Sequence, residues 1–185
     1  VAETTTTAVA TIEGVDWADV EIPGSLCGVA GTIQLHGGTA TLTGSKLARP
    51  PQFPTVDVAA EGSPDSAPIT YGNLLGGGTD AAGDQVFCNN GGGTADGELA
   101  QGWVIFTESG SLLQTVGVVT PQKASAPGAN IPYVSSIAIA PGQVTASEVF
   151  YNSSDPTCCP SGQATTVWSY AHGSLTPGPT EVEAP

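Results

Sequence analysis

The chain has no methionine, and its 185 residues carry only three cations, Lys46, Arg49 and Lys123, against 17 acidic side chains. So little positive charge excludes whole classes of partner. Three cations cannot neutralise a row of phosphates, and a formal net charge of −14 repels a polyanion. No nucleic acid fits that balance, and neither does an anionic lipid surface. The simplest role of the acidity is to keep the chain in solution.

Other absences narrow the chemistry. No apolar run approaches the roughly 18 residues needed to cross a bilayer, so no transmembrane segment is expected. There is no G-x-S-x-G nucleophile elbow, no Gly-Lys-Ser/Thr behind the glycine runs, and no C-x-x-C redox element. The two histidines, His36 in "LHGG" and His172 in "AHGS", both fall in turn sequences, a poor start for a Ser-His-acid triad. Glu98, Glu108, Glu148 and Asp155 are the carboxylates that could converge for glycoside chemistry, and surface solvation is the expectation for each. No catalytic residue and no cofactor is therefore assigned.

The missing methionine and the opening "VAETTTTAVA" give the expectation of a processed or trimmed product, with no n-region or h-region of a signal peptide remaining. A lipid-anchored precursor would also yield such a chain. Four cysteines, an even number, favour disulfides and an oxidising compartment. The expected location is extracellular or at the cell surface.

What is present is punctuation. With 25 glycines and 15 prolines the chain turns often, so many short elements are expected rather than a few long ones. Residues 1–14 read as a flexible Thr- and Ala-rich arm, 15–177 as one disulfide-linked β-rich domain, and 178–185 as a flexible acidic, Pro-rich tail. "DWADVEI" (16–22) suits a short turn before a strand. "GTIQL" (31–35) and "TATLTG" (39–44) flank "HGG" as a hairpin, and "TVDVAA" (55–60) alternates. Three later units repeat strand, polar Gly turn, strand: 102–119 about "ESGS", 135–151 about "APGQ", and 164–175 about "AHGS". The stretch from Leu47 to about Gly83 reads as irregular, wrapping one end of the sheet. The expected fold class is mainly β: an antiparallel meander of hairpins, sandwich-like or open-barrel-like, with long Gly/Pro-rich loops and little helix. Val104 and Phe106 on one parity, with Trp103 and Ile105 on the other, mark a strand covered on both faces. Ile137, Ile139, Val149, Val167 and Trp168 are expected to join that core.

The cysteines are Cys27, Cys88, Cys158 and Cys159. Adjacent cysteines lack the spacer of a zinc knuckle. A trans peptide sets neighbouring Cα atoms about 3.8 Å apart, below the usual disulfide window of about 4.4–6.8 Å. Successive residues of extended chain also point to opposite sides. The favoured expectation is a knot, with Cys158 and Cys159 bonded one each to Cys27 and Cys88. The alternative is a Cys27–Cys88 bond beside a vicinal bond or free thiols. In "YGNLLGGGTDAAGDQVFCNNGGGTADG" (71–97), Asn73, Thr79, Asp80 and Asp84 are weak calcium candidates, because Leu74, Leu75 and Gly77 stand where a calcium loop places oxygens. "NNGGGTADG" reads as letting backbone approach closely beside Cys88. "NSS" (152–154) is formally a glycosylation sequon.

Several segments together resemble actinobacterial exported proteins of the LppP/LprE lipoprotein type. They are "LCG" (26–28), "ITYGNLLGGGTDAA" (69–82), "CNNGGGTADGELAQGWVIF" (88–106), "GVVTPQ" (117–122) and "DPTCCPSGQATTVWSY" (155–170), and the likeness spans most of residues 17–177. The CCPSG element before an aromatic strand is its most specific part. The resemblance implies export and envelope or extracellular residence, and carries over no catalytic residue. An acidic loop common after the tyrosine in that family is replaced here by Asn73 and Gly76-Gly77-Gly78, and no lipobox cysteine is present.

The expected function is a non-enzymatic binding or assembly domain whose partner is another envelope or extracellular protein, or further copies of itself. A small secreted hydrolase of polysaccharide or peptide, and a calcium-dependent ligand-binding module, are the alternatives.

Overall fold

The computed structural model describes residues 11–43, 55–60, 67–91, 98–109 and 112–184. Its strands are β1 (Glu21–Pro23), β2 (Thr32–Gln34), β3 (Thr39–Thr43), β4 (Thr55–Ala59), β5 (Thr70–Gly72), β6 (Ala81–Asn89), β7 (Glu98–Ser109), β8 (Leu112–Val119), β9 (Tyr133–Ala140), β10 (Gln143–Phe150), β11 (Gly162–Ala171) and β12 (Ser174–Val182). The fold is mainly β, as expected, and the helical content among the described residues is three short 3-10 turns, at Ile12–Gly14, Trp17–Asp19 and Gly24–Cys27.

Among the described residues, three antiparallel sheets result. The largest runs β3-β4-β6-β7-β8, with β5 paired to β6, and curls into a half-barrel. A second runs β12-β11-β10-β9, and a small third joins β1 to β2. The hairpins β7–β8, β9–β10 and β11–β12 match the three repeated units of the sequence. The last turns at His172 and Gly173, whose φ values of 52° and 82° are the left-handed pair that a tight two-residue hairpin needs.

The middle of the large sheet is buried on both faces because its strands alternate between two cores. Ala82, Val86 and Cys88 of β6, with Val104 and Phe106 of β7, face a core completed by Ile12, Trp17, Ile22, Ile33 and Leu35 from the N-terminal segment. Ala81, Trp103 and Ile105 face a second core with Val134, Ile137, Val144, Ala146 and Trp168 of the four-stranded sheet. The two parities of β7 thus fill separate cores. Ile137 and Trp168 join the second core, and Ile139 packs against it, while Val149 is half-buried and Val167 is exposed on the outer face.

A polar clamp fastens the two large sheets. Gln101 behaves like a strand partner for Val134: its Nε2 donates to the Val134 carbonyl at 2.9 Å, and its Oε1 accepts from the Val134 amide at 2.7 Å. Trp103 Nε1 donates to the same carbonyl at 3.0 Å, and Gln85 Nε2 at 3.3 Å. All three side chains are buried, so each donor that meets this carbonyl avoids a desolvation cost.

Four expectations need correction. Residues 12–14 are docked rather than part of a free arm: Ile12 is fully buried in the first core. Residues 174–182 form an edge strand paired with β11, so the tail is structured through Val182. Its Pro177 and Pro179 are tolerated because one side of an edge strand needs no N–H partner. The segments around "HGG" do not form a hairpin with each other: β2 pairs with β1, β3 pairs with β4, and only a His36–Thr39 bridge joins them. The Leu47–Gly83 stretch holds β4, β5 and the start of β6.

Candidate functional site: the Cys158–Cys159 loop

The cysteine knot is not formed. Cys27 is bonded to Cys88 with Cα atoms 5.4 Å apart, and Cys158 is bonded to Cys159 with Cα atoms 3.8 Å apart. The first bond ties the 3-10 turn Gly24–Cys27 to β6 inside the first core. The second lies in the loop between β10 and β11, exposed to solvent. The expectation failed because residues 156–159 form a turn, closed by the Cys159 amide on the Pro156 carbonyl at 3.0 Å. In a turn, neighbouring side chains need not diverge as they do in extended chain.

The loop is built from one carboxylate. Asp155 Oδ2 accepts from the amides of Asn152 (2.7 Å) and Ser161 (2.8 Å), while Oδ1 accepts from Ser161 Oγ–H at 2.7 Å. These bonds hold the Asp155 carboxyl below the ordinary range, the Ser161 hydroxyl contributing most, because a carboxylate that already receives donors resists protonation. Asn152 Nδ2 donates to Ser161 Oγ at 2.9 Å, so the two ends of the loop are joined directly. From below, Tyr151 Oη–H and Asn130 Nδ2–H both donate to the Thr157 carbonyl, at 3.0 and 3.1 Å. Hydrogen bonds fix the backbone on both sides of the disulfide, and Cys158 and Cys159 themselves remain exposed.

The base of this end is also ordered. Glu148 is buried, and its Oε2 accepts from the amides of Gln122 (2.8 Å) and Lys123 (2.9 Å), pinning the connection that follows β8. Surface solvation is therefore not its fate. The Lys123 ammonium stands 5.4 Å from the Phe150 ring centroid, a cation–π distance. Nearby, burial raises the Tyr133 phenol, with Tyr151 and Glu98 adding to the effect, and burial likewise raises the Glu98 carboxyl. Beside the loop is a crevice of about 370 Å³, lined by Phe150, Asn152, Ser161, Gly162, Gln163 and residues 182–184. Among its described lining residues, Glu183 is the titratable one.

Three of the weak calcium candidates, Asn73, Thr79 and Asp80, lie at the other end of β10. The loop between β5 and β6 touches the β9–β10 turn, where the Gly142 amide donates to the Leu74 carbonyl at 2.9 Å. Eight residues of β10 separate that turn from the cysteine loop, a span of roughly 26 Å. There Asp80 Oδ1 accepts from the amides of Leu74 (2.6 Å) and Leu75 (3.0 Å), and Oδ2 from those of Leu75 and Gly77, both at 3.1 Å. Asn73 Oδ1 accepts from the Gly76 amide at 2.6 Å. Thr79 is exposed at the loop tip, and Asp84 is buried on β6, on the parity of Ala82 and Val86. The Asp80 and Asn73 oxygens that could have faced a cation are turned onto the loop's own backbone. The glycines of 92–97 lie outside the described residues, as do Lys46 and Arg49. Both histidines are exposed, with His36 Nδ1 3.2 Å from Asp19 Oδ1.

Sequence reasoning singled out Cys158 and Cys159 but missed Tyr151, Asn130 and Ser161. The spacing Asn152-x-x-Asp155 was a usable signal, since Asp and Asn side chains bond nearby backbone, including groups three residues back. Tyr151 and Asn130 carry no local signal, because they reach the loop through the fold. Compared with protein-family models, with curated proteins and with solved structures, the chain matches none of them. Among the described residues, no helix is long and apolar enough to cross a membrane.

Proposed function

We propose that this is a non-enzymatic exported domain of the cell envelope or extracellular space, akin to the LppP/LprE lipoprotein type, that binds a partner protein or further copies of itself through the 152–161 loop. The observation that carries the reading is the set of hydrogen bonds spent on a solvent-facing loop. Asp155, Asn152, Ser161, Tyr151 and Asn130 all hold backbone or one another, and together they present the Cys158–Cys159 pair on a stiff support. A disulfide between adjacent residues closes no long loop, so it adds little to global stability through chain entropy. What it supplies is local rigidity, which lowers the ordering cost of a contact surface.

Photo-crosslinking in the native envelope tests this. A photoreactive residue at Ser153 should give discrete protein adducts, or dimers of the chain, while one at the exposed His36 should not. Equal labelling at both positions, or none at Ser153, would reject the loop as the contact.

The hydrolase reading has one observation in its favour. Glu98 is pushed up by burial, the direction a general acid requires. Asp155, however, has both oxygens engaged by Asn152 and Ser161. Turnover of a polysaccharide or peptide that is abolished by Glu98→Gln would favour this reading over the binding domain.

A further inference from the structure

The two disulfides differ in access to a nucleophile. Cys27 and Cys88 are 8% and 0% exposed within the first core, where no thiolate reaches them without unfolding. Cys158 and Cys159 are both exposed, and the residues that anchor their loop do so through its backbone. Thiol–disulfide exchange depends on such access, because the attacking thiolate must meet a sulfur directly.

We propose that Cys158–Cys159 is a reversible thiol-exchange site that an external dithiol opens in the folded protein, while Cys27–Cys88 is a permanent crosslink. This inference does not rest on the loop being a partner contact. In the forward step a thiolate of the dithiol attacks one exposed sulfur, forming a mixed disulfide and releasing the other cysteine as a thiolate. The second thiol of the dithiol, as thiolate, then attacks its own sulfur in the mixed disulfide and displaces the remaining cysteine. The protein gains two electrons and two protons, and the dithiol leaves as a cyclic disulfide. The reverse runs with any disulfide oxidant.

Opening the bond has a local consequence. Closed, it ties the side chains of two consecutive residues into one small ring. Open, Cys158 and Cys159 regain separate rotamers and the 156–159 turn is held by the Cys159–Pro156 hydrogen bond and the two donors on Thr157. Asn152 and Ser161, which flank the loop, also line the adjacent crevice, so a change in the loop reaches that crevice directly. Exchange therefore switches one end of the molecule between a stiff and a looser form without touching either core.

The intact chain is incubated without denaturant in millimolar dithiothreitol, quenched with iodoacetamide at intervals and mapped by peptide mass. Cys158 and Cys159 should be alkylated together, at a rate at least about tenfold above Cys27 and Cys88, while the far-ultraviolet circular dichroism stays unchanged. Phenylarsine oxide, which bridges neighbouring thiols, should bind the reduced chain one to one and block re-formation of the bond by oxidised glutathione. The double variant Cys158→Ser with Cys159→Ser should fold and lose the fast phase. A parallel arm with a C-x-x-C protein dithiol distinguishes the source: reduction at catalytic concentration assigns a protein reductant, and reduction by dithiothreitol alone assigns a small one. Labelling of all four cysteines only on unfolding, or peptides joining Cys158 or Cys159 to Cys27 or Cys88, would overturn the proposal.

Discussion

The two disulfides of this protein use the same covalent bond for different purposes. Cys27–Cys88 spans 61 residues and lies inside a core with Trp17, Ile22 and Phe106, whereas Cys158–Cys159 spans one and sits in water. A long crosslink narrows the unfolded ensemble, and its worth grows with the loop it closes. A crosslink between neighbours leaves the unfolded chain almost as free as before. The first acts on the whole fold; the second acts on a few ångströms of surface.

The sharpest way to break this contrast is to remove each bond in turn. Replacing Cys27 and Cys88 together by alanine should lower stability by about 4 kcal/mol from loop closure alone. Replacing Cys158 and Cys159 together by serine should cost less than about 0.5 kcal/mol, as for an exposed site away from packing. Urea titrations monitored by tryptophan fluorescence measure both. Comparable losses from the two double variants would end the distinction.

A second test asks whether the exposed loop is independent of the docking of the sheets. Gln101 clamps Val134 midway between the large sheets, and Gln101→Ala strands a buried amide while removing one of the carbonyl's donors. The expected loss is about 2–3 kcal/mol in the same titration. The rate at which dithiothreitol opens Cys158–Cys159 should stay at the wild-type value, since that loop is fixed by its own contacts. A faster exchange would show that sheet docking, rather than local bonding, holds the loop.

Gly162 tests the boundary of the exposed end. It opens β11 directly after the loop and lies against the Phe150 ring, so that an added Cβ would overlap the ring itself. Gly162→Ala forces Phe150, and with it the Lys123 ammonium, to move, at a cost of about 1–2 kcal/mol. Chemical shifts of Ser161 and Asn152 should change with it, while those of the Cys27–Cys88 region should not. A uniform response would merge the two regions into one.

The sequence was most informative where a residue's partner is local. Trp103-Val104-Ile105-Phe106 announces a doubly covered strand because alternation alone sorts the four side chains between two cores. "AHGS" and "APGQ" announce tight hairpins because His172, Gly173 and Gly142 supply the left-handed φ that such turns demand. Pairings between distant segments were not legible. β2 looks like half of a hairpin, but takes β1 as its partner because Ile22 and Ile33 then meet opposite each other in the first core. Gln101 reads as an ordinary polar residue of a strand, and nothing nearby in sequence says that Val134 will offer it both an amide and a carbonyl. The cysteines misled for a physical reason as well. Divergence of neighbours holds for extended chain, and Asp155 had already bent that chain into a turn.

The smallest expected effect isolates that carboxylate. Asp155 has its pKa lowered in the folded state by the Ser161 hydroxyl, the Ser161 amide and the Asn152 amide. A depressed carboxylate pKa means that the ionised form contributes its full share above the unfolded value, about 3.8, and that the contribution disappears as pH falls through the folded value. At neutral pH the loop is therefore fully held, and only strongly acidic solution releases it. The carboxyl carbon of Asp155 should titrate in NMR at a lower pH than that of an unperturbed aspartate, and the amide protons of Asn152 and Ser161 should shift with the same midpoint. Asp155→Asn should abolish that shared titration and leave the Cys27–Cys88 region unmoved. It should also speed the opening of Cys158–Cys159, because a single amide oxygen cannot replace two carboxylate oxygens serving three donors. If the variant opened no faster, the stiffness of the exposed end would have to reside in Tyr151 and Asn130, whose donors meet at the Thr157 carbonyl.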